Sequence, residues 1–431
     1  MRDARHQHRI SQVRPIASKG NVVEEALPAP AEGKNSRGFI LGSLSFGHAA
    51  QHLYDHGFPV FMPAITNGLG LSNLQVASLL GIRQAGFGVV SLGGGIFVDI
   101  LRSQWGLILT GCMLWSAVSF LAVGASPTFP LLVLAVILVS VPGAMWHLPA
   151  TAALSQRFPD RRGFAISMHG LGANAGNILG PLLAGGLLSL FYWRNVLFVY
   201  ATPALLAAVF IWWSLKNLGT DGTRSERKKL RAQIQETKVL LRNPVVLWLV
   251  LAAAFRGVGL NALFHWTPFY LEEELGMGHF SAGVHYALLT GMGVISAPVL
   301  GVLSDRFGRK KVLAPGMVSA AFLALLVVSA GDTFLLPVIL AGLGLFSFAL
   351  HQIVLAAVLD VSGRGTEATA TGLIFGLNGA LGGAAPFIAT LVIDHLGGYG
   401  SIYYYAGALT VVAALIVILV PLSSKEAAPG A

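Results

Sequence analysis

Long apolar runs broken by clusters of glycine, proline or charge set the pattern of the chain. They lie near residues 38–64, 72–99, 105–125, 129–155, 164–190, 194–215, 245–271, 280–303, 312–330, 334–359, 367–392 and 400–421. A hydrocarbon core about 30 Å thick is crossed by about 20 helical residues. Twelve such runs predict an all-α integral membrane protein with twelve transmembrane helices.

The polar breaks between the runs alternate in charge. Of the 28 Lys and Arg, 25 fall on one side: the first 37 residues, every second loop and the C-terminal end. The opposite set of loops holds Arg194 alone, and Arg83 and Arg256 lie within runs. Cytoplasmic loops carry the excess of Lys and Arg, so both termini are expected in the cytoplasm, in the plasma (inner) membrane. The longest polar break, "KNLGTDGTRSERKKLRAQIQETKVLLRNP", divides six runs from six. The predicted organisation is a disordered basic tail at 1–37, six-helix bundles at 38–215 and 245–422, a cytoplasmic central loop at 216–244 and a short tail at 423–431. Part of the central loop has helical spacing and suits a helix lying on the membrane surface.

Composition agrees and narrows the partners. Hydrophobic residues make up 55% of the chain and charged residues 11%, against about 25% charged in an ordinary soluble domain. The formal charge of +9 follows from topology, and no nucleic-acid partner is expected. The single Cys112 lies in an apolar run and excludes an internal disulfide.

Two stretches repeat: "GGIFVDILRSQ" at 94–104 and "LGVLSDRFGRKK" at 300–311, with Asp99 and Asp305 at matching places. "GNILGP", ending at Pro181, and "GGAAP", ending at Pro386, are offset by nearly the same distance. A duplicated six-helix unit explains both, and parallel repeats are a recurring transporter plan. "GVLSDRFGRKK", Gly301 to Lys311, resembles the loop signature of the major facilitator superfamily. "GNILGPLLAGG", Gly176 to Gly186, is similar to the signature of that family's fifth helix. "RFPDRRG" and "YWRNVLF" have the same look. The resemblance implies two six-helix bundles that rock about a midplane site, and a gating loop built from Gly301, Asp305, Arg306, Gly308 and Arg309. The first copy, with Asp99 followed by Ile100, Leu101 and Arg102, lacks the usual arginine and basic pair, which leaves Arg102 as the partner for Asp99. Gly301 is expected to let two helices approach closely.

Charge inside the runs supplies the candidate site. A charge at the bilayer centre costs about 2.5–3.5 kcal/mol even on insertion scales, so it faces a cavity or a partner. Asp55 and Arg83 fall at similar depth on adjacent helices, and Arg256 falls near the middle of the seventh. At about 100° per residue, His48, His52, Asp55 and His56 share one face, which is expected to face a central cavity. Arg83, Arg256 and His52 are the candidate substrate-binding residues, and Asp55 and His56 the candidate proton-coupling groups. Bland readings stand beside these: Asp55 and Arg83 as a static buried pair, Arg256 bonded to neighbouring carbonyls, and the asparagines Asn177, Asn261 and Asn378 as interhelical glue. A metal reading of the His-x3-His-x2-Asp-His face is set aside, because two intramembrane arginines would repel a cation.

The sequence therefore predicts a monomeric secondary transporter working by alternating access, proton-coupled, moving a small organic anion. No cofactor is expected: the pattern GxxxxGK[ST] is absent, which disfavours an ATP-driven pump. No nucleophile elbow or metalloprotease spacing is present, so an enzyme is not expected. Proton-driven drug efflux is the alternative, and a non-transporting sensor or assembly protein on the same scaffold is a further one.

Overall fold

The computed structural model describes residues 36–219, 238, 240, 242–347, 349–362 and 367–422. The predicted N-terminal tail, the C-terminal tail and nearly all of the central loop therefore lie outside the described residues, as do the side chains of Asp99, Arg162 and a few others. The first half contains α1 (Arg37–Leu69), α2 (Asn73–Ile100), α3 (Trp105–Ala125), α4 (Phe129–Arg157), α5 (Arg162–Leu188) and α6 (Trp193–Leu215). The second begins with α7 (Pro244–Phe269), which widens into a π turn at Tyr270–Glu274. It continues with α8 (His279–Gly291 and Gly293–Phe307, broken at Met292) and α9 (Arg309–Ala330). The last three are α10 (Leu335–Ser347 and Ala349–Ser362), α11 (Glu367–Leu396) and α12 (Ser401–Leu419).

Ten stretches among the described residues are long and apolar enough to span a membrane. α1 is not among them, because His48, Gln51, His52, Asp55 and His56 dilute its apolar windows. α1 also runs on through Pro59 and Pro63 to Leu69, where the sequence places the end of the run near 64. Its ends are set locally. The Ser36 side chain accepts from the Phe39 amide at the start, and Gly70, at φ 61°, closes the other end in the left-handed region, which a side chain seldom tolerates. Ser72 and Gln75 form a reciprocal capping box at the start of α2, the arrangement that satisfies two otherwise orphaned amides.

Most helices keep an apolar face outward, whereas α1 exposes Phe46 alone of its large apolar residues. On α3, Leu107, Leu114, Trp115, Val118 and Leu121 are all exposed, and their spacing puts them in one stripe. Such a stripe is stable only against lipid. The inner faces build the two bundles: Tyr54, Phe58, Phe61, Phe120 and Tyr200 pack together in the first, and Trp266, Phe269, Tyr270 and Tyr403 are fully buried in the second.

The internal repeat is visible in the packing. α1 packs on α5, α2 on α4 and α3 on α6; adding six to each number gives α7 on α11, α8 on α10 and α9 on α12, which are also packed pairs. The two halves meet where α5 lies on α8 and α2 on α11, a pair of contacts related by the same rule. Small residues bring the backbones together there. A Cβ on Gly81 of α2 would come 2.7 Å from the Gly383 carbonyl of α11, and one on Gly283 of α8 would come 2.6 Å from the Pro181 carbonyl of α5. Such distances are shorter than real Cβ contacts tolerate, so only glycine permits the approach.

Candidate functional site

Between the halves lies a cavity of about 370 Å³, within the range of organic-solute sites. α1 contributes Asp55, His56 and Pro59, and α2 contributes Arg83, Gln84 and Phe87. The other half contributes Arg256, Asn261, Phe264 and His265 of α7, Tyr286 of α8, Ser347 and His351 of α10, and Asn378 of α11. A second hollow, at Arg157, Trp213 and Lys216, holds only about 60 Å³, room for a few waters.

The structure brings Asp55 and Arg83 together: Arg83 Nη2 donates to Asp55 Oδ1 at 3.0 Å. Gly143 of α4 makes room for the carboxylate, since a Cβ there would stand 2.7 Å from Asp55 Oδ2. The guanidinium also lies over the Phe58 ring, 5.2 Å from its centroid, a favourable cation–π placement. Arg83 Nε is buried with no hydrogen-bond partner among the described residues, and so is Asn261 Oδ1.

Arg256 lines the same cavity, on the opposite half, and is 5% exposed. Its Nη2 donates to the carbonyls of Phe346 and Ser347, the last residues of the first segment of α10. Those carbonyls lie at a helix end, where partial negative charge gathers. The carbonyl-bonded reading of Arg256 thus describes part of its geometry, and the remaining donors of its fork are not used by those bonds.

The face shared by His48, His52, Asp55 and His56 divides. Asp55 and His56 line the cavity, whereas His48 and His52 do not. They turn instead into the seam between α1, α4 and α5. His48 Nδ1 donates to the His169 carbonyl at 2.8 Å, and His52 Nδ1 to Asn177 Oδ1 at 2.8 Å. The cause is the glycine row of α5. Gly172, Gly176 and Gly180 let its backbone approach Ser45, Ala49 and Leu53 of α1, which draws this edge of α1 away from the cavity. His52 is therefore not placed as a wall of the cavity. The sequence reading missed His265, His351 and Tyr286 as cavity residues, because a single polar residue in an apolar run carries no sign of which way it points.

The loop signature forms a compact staple within the second half. Gly308, at φ 99°, joins α8 to α9. Arg309 then bonds Asp305 and Ser304 at the end of α8, each at 2.5 Å, and Asp360 of α10 at 2.9 Å. Arg306 lies over the Phe307 ring. Gly301 does not serve a close helix approach, since no heavy atom lies within 4 Å of where its Cβ would be; in this conformation that face of α8 is open. In the first half Arg102 lies over the Trp105 ring, and the Asp99 side chain falls outside the described residues. At the same end of the molecule, Arg37 pairs with the exposed Asp160 at 2.8 Å. Its own backbone amide and Arg37 hold the Asp160 carboxyl below the ordinary value.

Hydrogen bonds between the halves gather at the end opposite the termini. Asn67 donates to Glu273 at 2.7 Å, Asn73 donates to Asp394 at 2.8 Å, and Tyr399 donates to Asn73 at 3.1 Å.

The model of the Major Facilitator Superfamily matches residues 44–384 and 292–430. The chain belongs to that superfamily. It is 24% identical over 368 residues to the fosmidomycin resistance protein of Escherichia coli K12, covering 83% of this chain and 86% of that protein. It is 30% identical over 165 residues to the cis,cis-muconate transport protein of Acinetobacter baylyi, 36% of this chain and 40% of that one. A probable nitrate transporter of Staphylococcus haemolyticus is 24% identical over 258 residues, 58% of this chain and 63% of its own length. Among solved structures, the peptide transporter POT in complex with sulfate superposes with a TM-score of 0.73 at 16% identity, over 88% of this chain and 93% of that one. An inward-facing bacterial homologue of the human lysosomal transporter Spinster gives 0.66 at 17%, over 90% and 96%. This major facilitator protein is a multi-pass membrane transporter of the secondary type, and not an enzyme.

Proposed function

We propose that this transporter carries a small organic anion together with protons, and that Asp55 and Arg83 couple the two. The observation that carries the reading is the pairing itself: the Asp55 carboxyl occupies one side of an intramembrane guanidinium whose Nε has no partner among the described residues. While Asp55 is ionised it competes with a solute carboxylate for Arg83. Protonating Asp55 releases the guanidinium, which then accepts the anion bidentately. Proton and anion thus favour each other's binding, the linkage that symport requires. Arg256 faces the same space from the other half and adds positive charge, while His56 lies beside Asp55 as a second proton-accepting group. Relatives named for muconate and nitrate, both anions, support the substrate class.

Alternating access is the expected mode for two repeat-related halves around a midplane site. The charge asymmetry supports an orientation with both termini on the cytoplasmic side of the plasma membrane. On that orientation the bonds of Asn67 and Asn73 close the outer side, so the cavity faces inward. The protein is expected to work as a monomer.

The test is uptake into proteoliposomes with an imposed pH gradient, using a panel of mono- and dicarboxylates. Flux that follows the proton gradient and is lost in Arg83→Ala supports the reading. Flux of lipophilic cations, untouched by that substitution, refutes it. The fosmidomycin resistance protein, similar over 83% of this chain, favours a second reading in which the solute is an antimicrobial moved outward. The direction of the solute gradient that drives proton movement in the same vesicles separates the two.

A further inference from the structure

The imidazole cluster that turned away from the cavity has a chemistry of its own. His48 and His52 of α1 and His147 of α4 each place a ring nitrogen within 4.8 Å of the others'. His48 and His147 meet edge to face at 4.9 Å between ring centroids, and His48 and His52 at 4.6 Å. His169 of α5 stacks on His48 at 3.9 Å. Four imidazoles in one intramembrane seam is far more than packing requires.

Tautomers decide what the cluster offers. A carbonyl only accepts, so the bond to the His169 carbonyl puts the His48 proton on Nδ1. The bond to Asn177 Oδ1 does the same for His52. Both rings therefore present an unprotonated Nε2, and both Nε2 atoms are buried with no partner among the described residues. His48 as a whole is 6% exposed. An imidazole whose Nδ1–H is held by an oxygen and whose Nε2 lone pair is unused has the geometry of a metal ligand with its orienting contact in place.

We propose that His48, His52 and His147 bind one divalent first-row transition metal ion, Zn²⁺ or a close relative, between α1 and α4. Imidazole donors favour Zn, Cu, Ni and Fe over Mg or Ca, which take oxygen ligands. Three protein nitrogens leave a fourth tetrahedral position open. Zn–N bonds of about 2.0–2.1 Å put ligand nitrogens about 3.4 Å apart in a tetrahedron, so the rings close by little more than an ångström. The repulsion that argued against a cation in the sequence is answered by the structure. Arg83 is held on Asp55, and Arg256 on the carbonyls of Phe346 and Ser347. The Asp55 carboxylate rests against Gly143, one turn from His147 on the same face of α4, and its negative charge offsets the ion's.

The experiment is calorimetric titration of Zn²⁺ into the chelator-stripped full-length protein in nanodiscs, with His6→Ala and His8→Ala removing the tail imidazoles. One saturable equivalent is expected, with the intense visible absorption of tetrahedral Co²⁺ when cobalt replaces zinc. His147→Ala and His52→Ala are each expected to weaken binding at least tenfold. Asn177→Leu, which removes only the orienting contact, is expected to weaken it about 10–100-fold. Arg83→Ala unpairs the Asp55 carboxylate and is expected to retain or raise zinc affinity while anion binding is lost, which keeps this site distinct from the anion cavity. No saturable binding in the parent, or full affinity retained in His147→Ala, overturns the proposal; so does loss of zinc on Arg83→Ala. His147 is only half-buried and makes no hydrogen bond through its ring among the described residues, so its alanine variant tests the site even where His48 variants fail to fold.

Discussion

Arg83 Nη2 stands 3.0 Å from Asp55 Oδ1 and 3.4 Å from the backbone oxygen of the same residue, joining α2 to α1 at the wall of the cavity. The pair neutralises itself, so neither charge is stranded in the membrane when the site is without solute. In the proposed mechanism, coupling follows from which partner the guanidinium keeps. Protonation of Asp55 removes the competitor, so anion affinity of the parent is expected to rise as pH falls. Asp55→Asn mimics the protonated state. Its anion binding is expected to be at least as tight as the parent's and less dependent on pH, with the cavity histidine His56 left as a proton-accepting group. A charge-assisted hydrogen bond contributes about 1.5–3 kcal/mol, so Asp55→Asn should bind the anion about 10–150-fold more tightly than the parent whose Asp55 is held on Arg83. Calorimetry across pH checks this, and an Asp55→Asn protein whose affinity and pH profile match the parent's removes Asp55 from the coupling.

Arg256 faces two demands, and the Lys variant separates them. Its bonds to the carbonyls of Phe346 and Ser347 hold the end of the first α10 segment, while its place in the cavity wall suits an anion. Arg256→Ala is expected to lower the melting temperature and to weaken anion binding about tenfold or more. Arg256→Lys keeps a charge that reaches the carbonyls but lacks the planar fork, so it should restore much of the stability and little of the affinity. Equal recovery of both would confine Arg256 to packing.

The row Gly172, Gly176 and Gly180 holds α5 against α1. A Cβ on Gly176 would lie 2.7 Å from the His52 Cβ and 2.8 Å from the Leu53 amide nitrogen. Neither α1 nor α5 can give way without opening the seam. Overpacking of this kind costs about 1–3 kcal/mol, so Gly176→Val is expected to lower thermal stability clearly. Gly38→Ala is the control, since nothing lies within 4 Å of its Cβ position. A Gly176→Val protein as stable as the parent would mean that α1 and α5 are not held this closely.

How much of this was legible in the sequence follows from what each signal measures. Helix number, order and repeat were readable because about 20 apolar residues are a demand of the bilayer itself, and the breaks carry their own punctuation. The pairing of Asp55 with Arg83 was within reach as well: depth along two successive helices can be counted, and an intramembrane charge seeks its opposite. Azimuth was not readable. His48 and His52 share a face with Asp55, yet the glycine row of a helix more than a hundred residues away decides that they meet His147 and His169. The cavity residues His265, His351 and Tyr286 were hidden for the same reason, and so was the open space around Gly301, whose neighbours depend on the conformation of the whole.

The bonds at the end opposite the termini offer a way to move that conformation. Asn73 donates to Asp394 at 2.8 Å and accepts from Tyr399 at 3.1 Å, so Asn73→Ala removes two links between the halves. Each is worth about 0.5–1.5 kcal/mol net, and together they should shift the ratio of open to closed states at that end by about 5–150-fold. The chain suits a thiol-labelling test, because Cys112 is its single cysteine and is buried in α3. A cysteine introduced by Leu260→Cys in the cavity wall is expected to react slowly with a membrane-impermeant reagent added from the loop side. Adding Asn73→Ala should accelerate that reaction by a similar factor, while labelling from the terminus side slows. If Asn73→Ala leaves both rates unchanged, the two Asn73 side-chain bonds do not hold that end closed, and the Asn67–Glu273 bond with the close approach of α5 to α8 and α2 to α11 must do so.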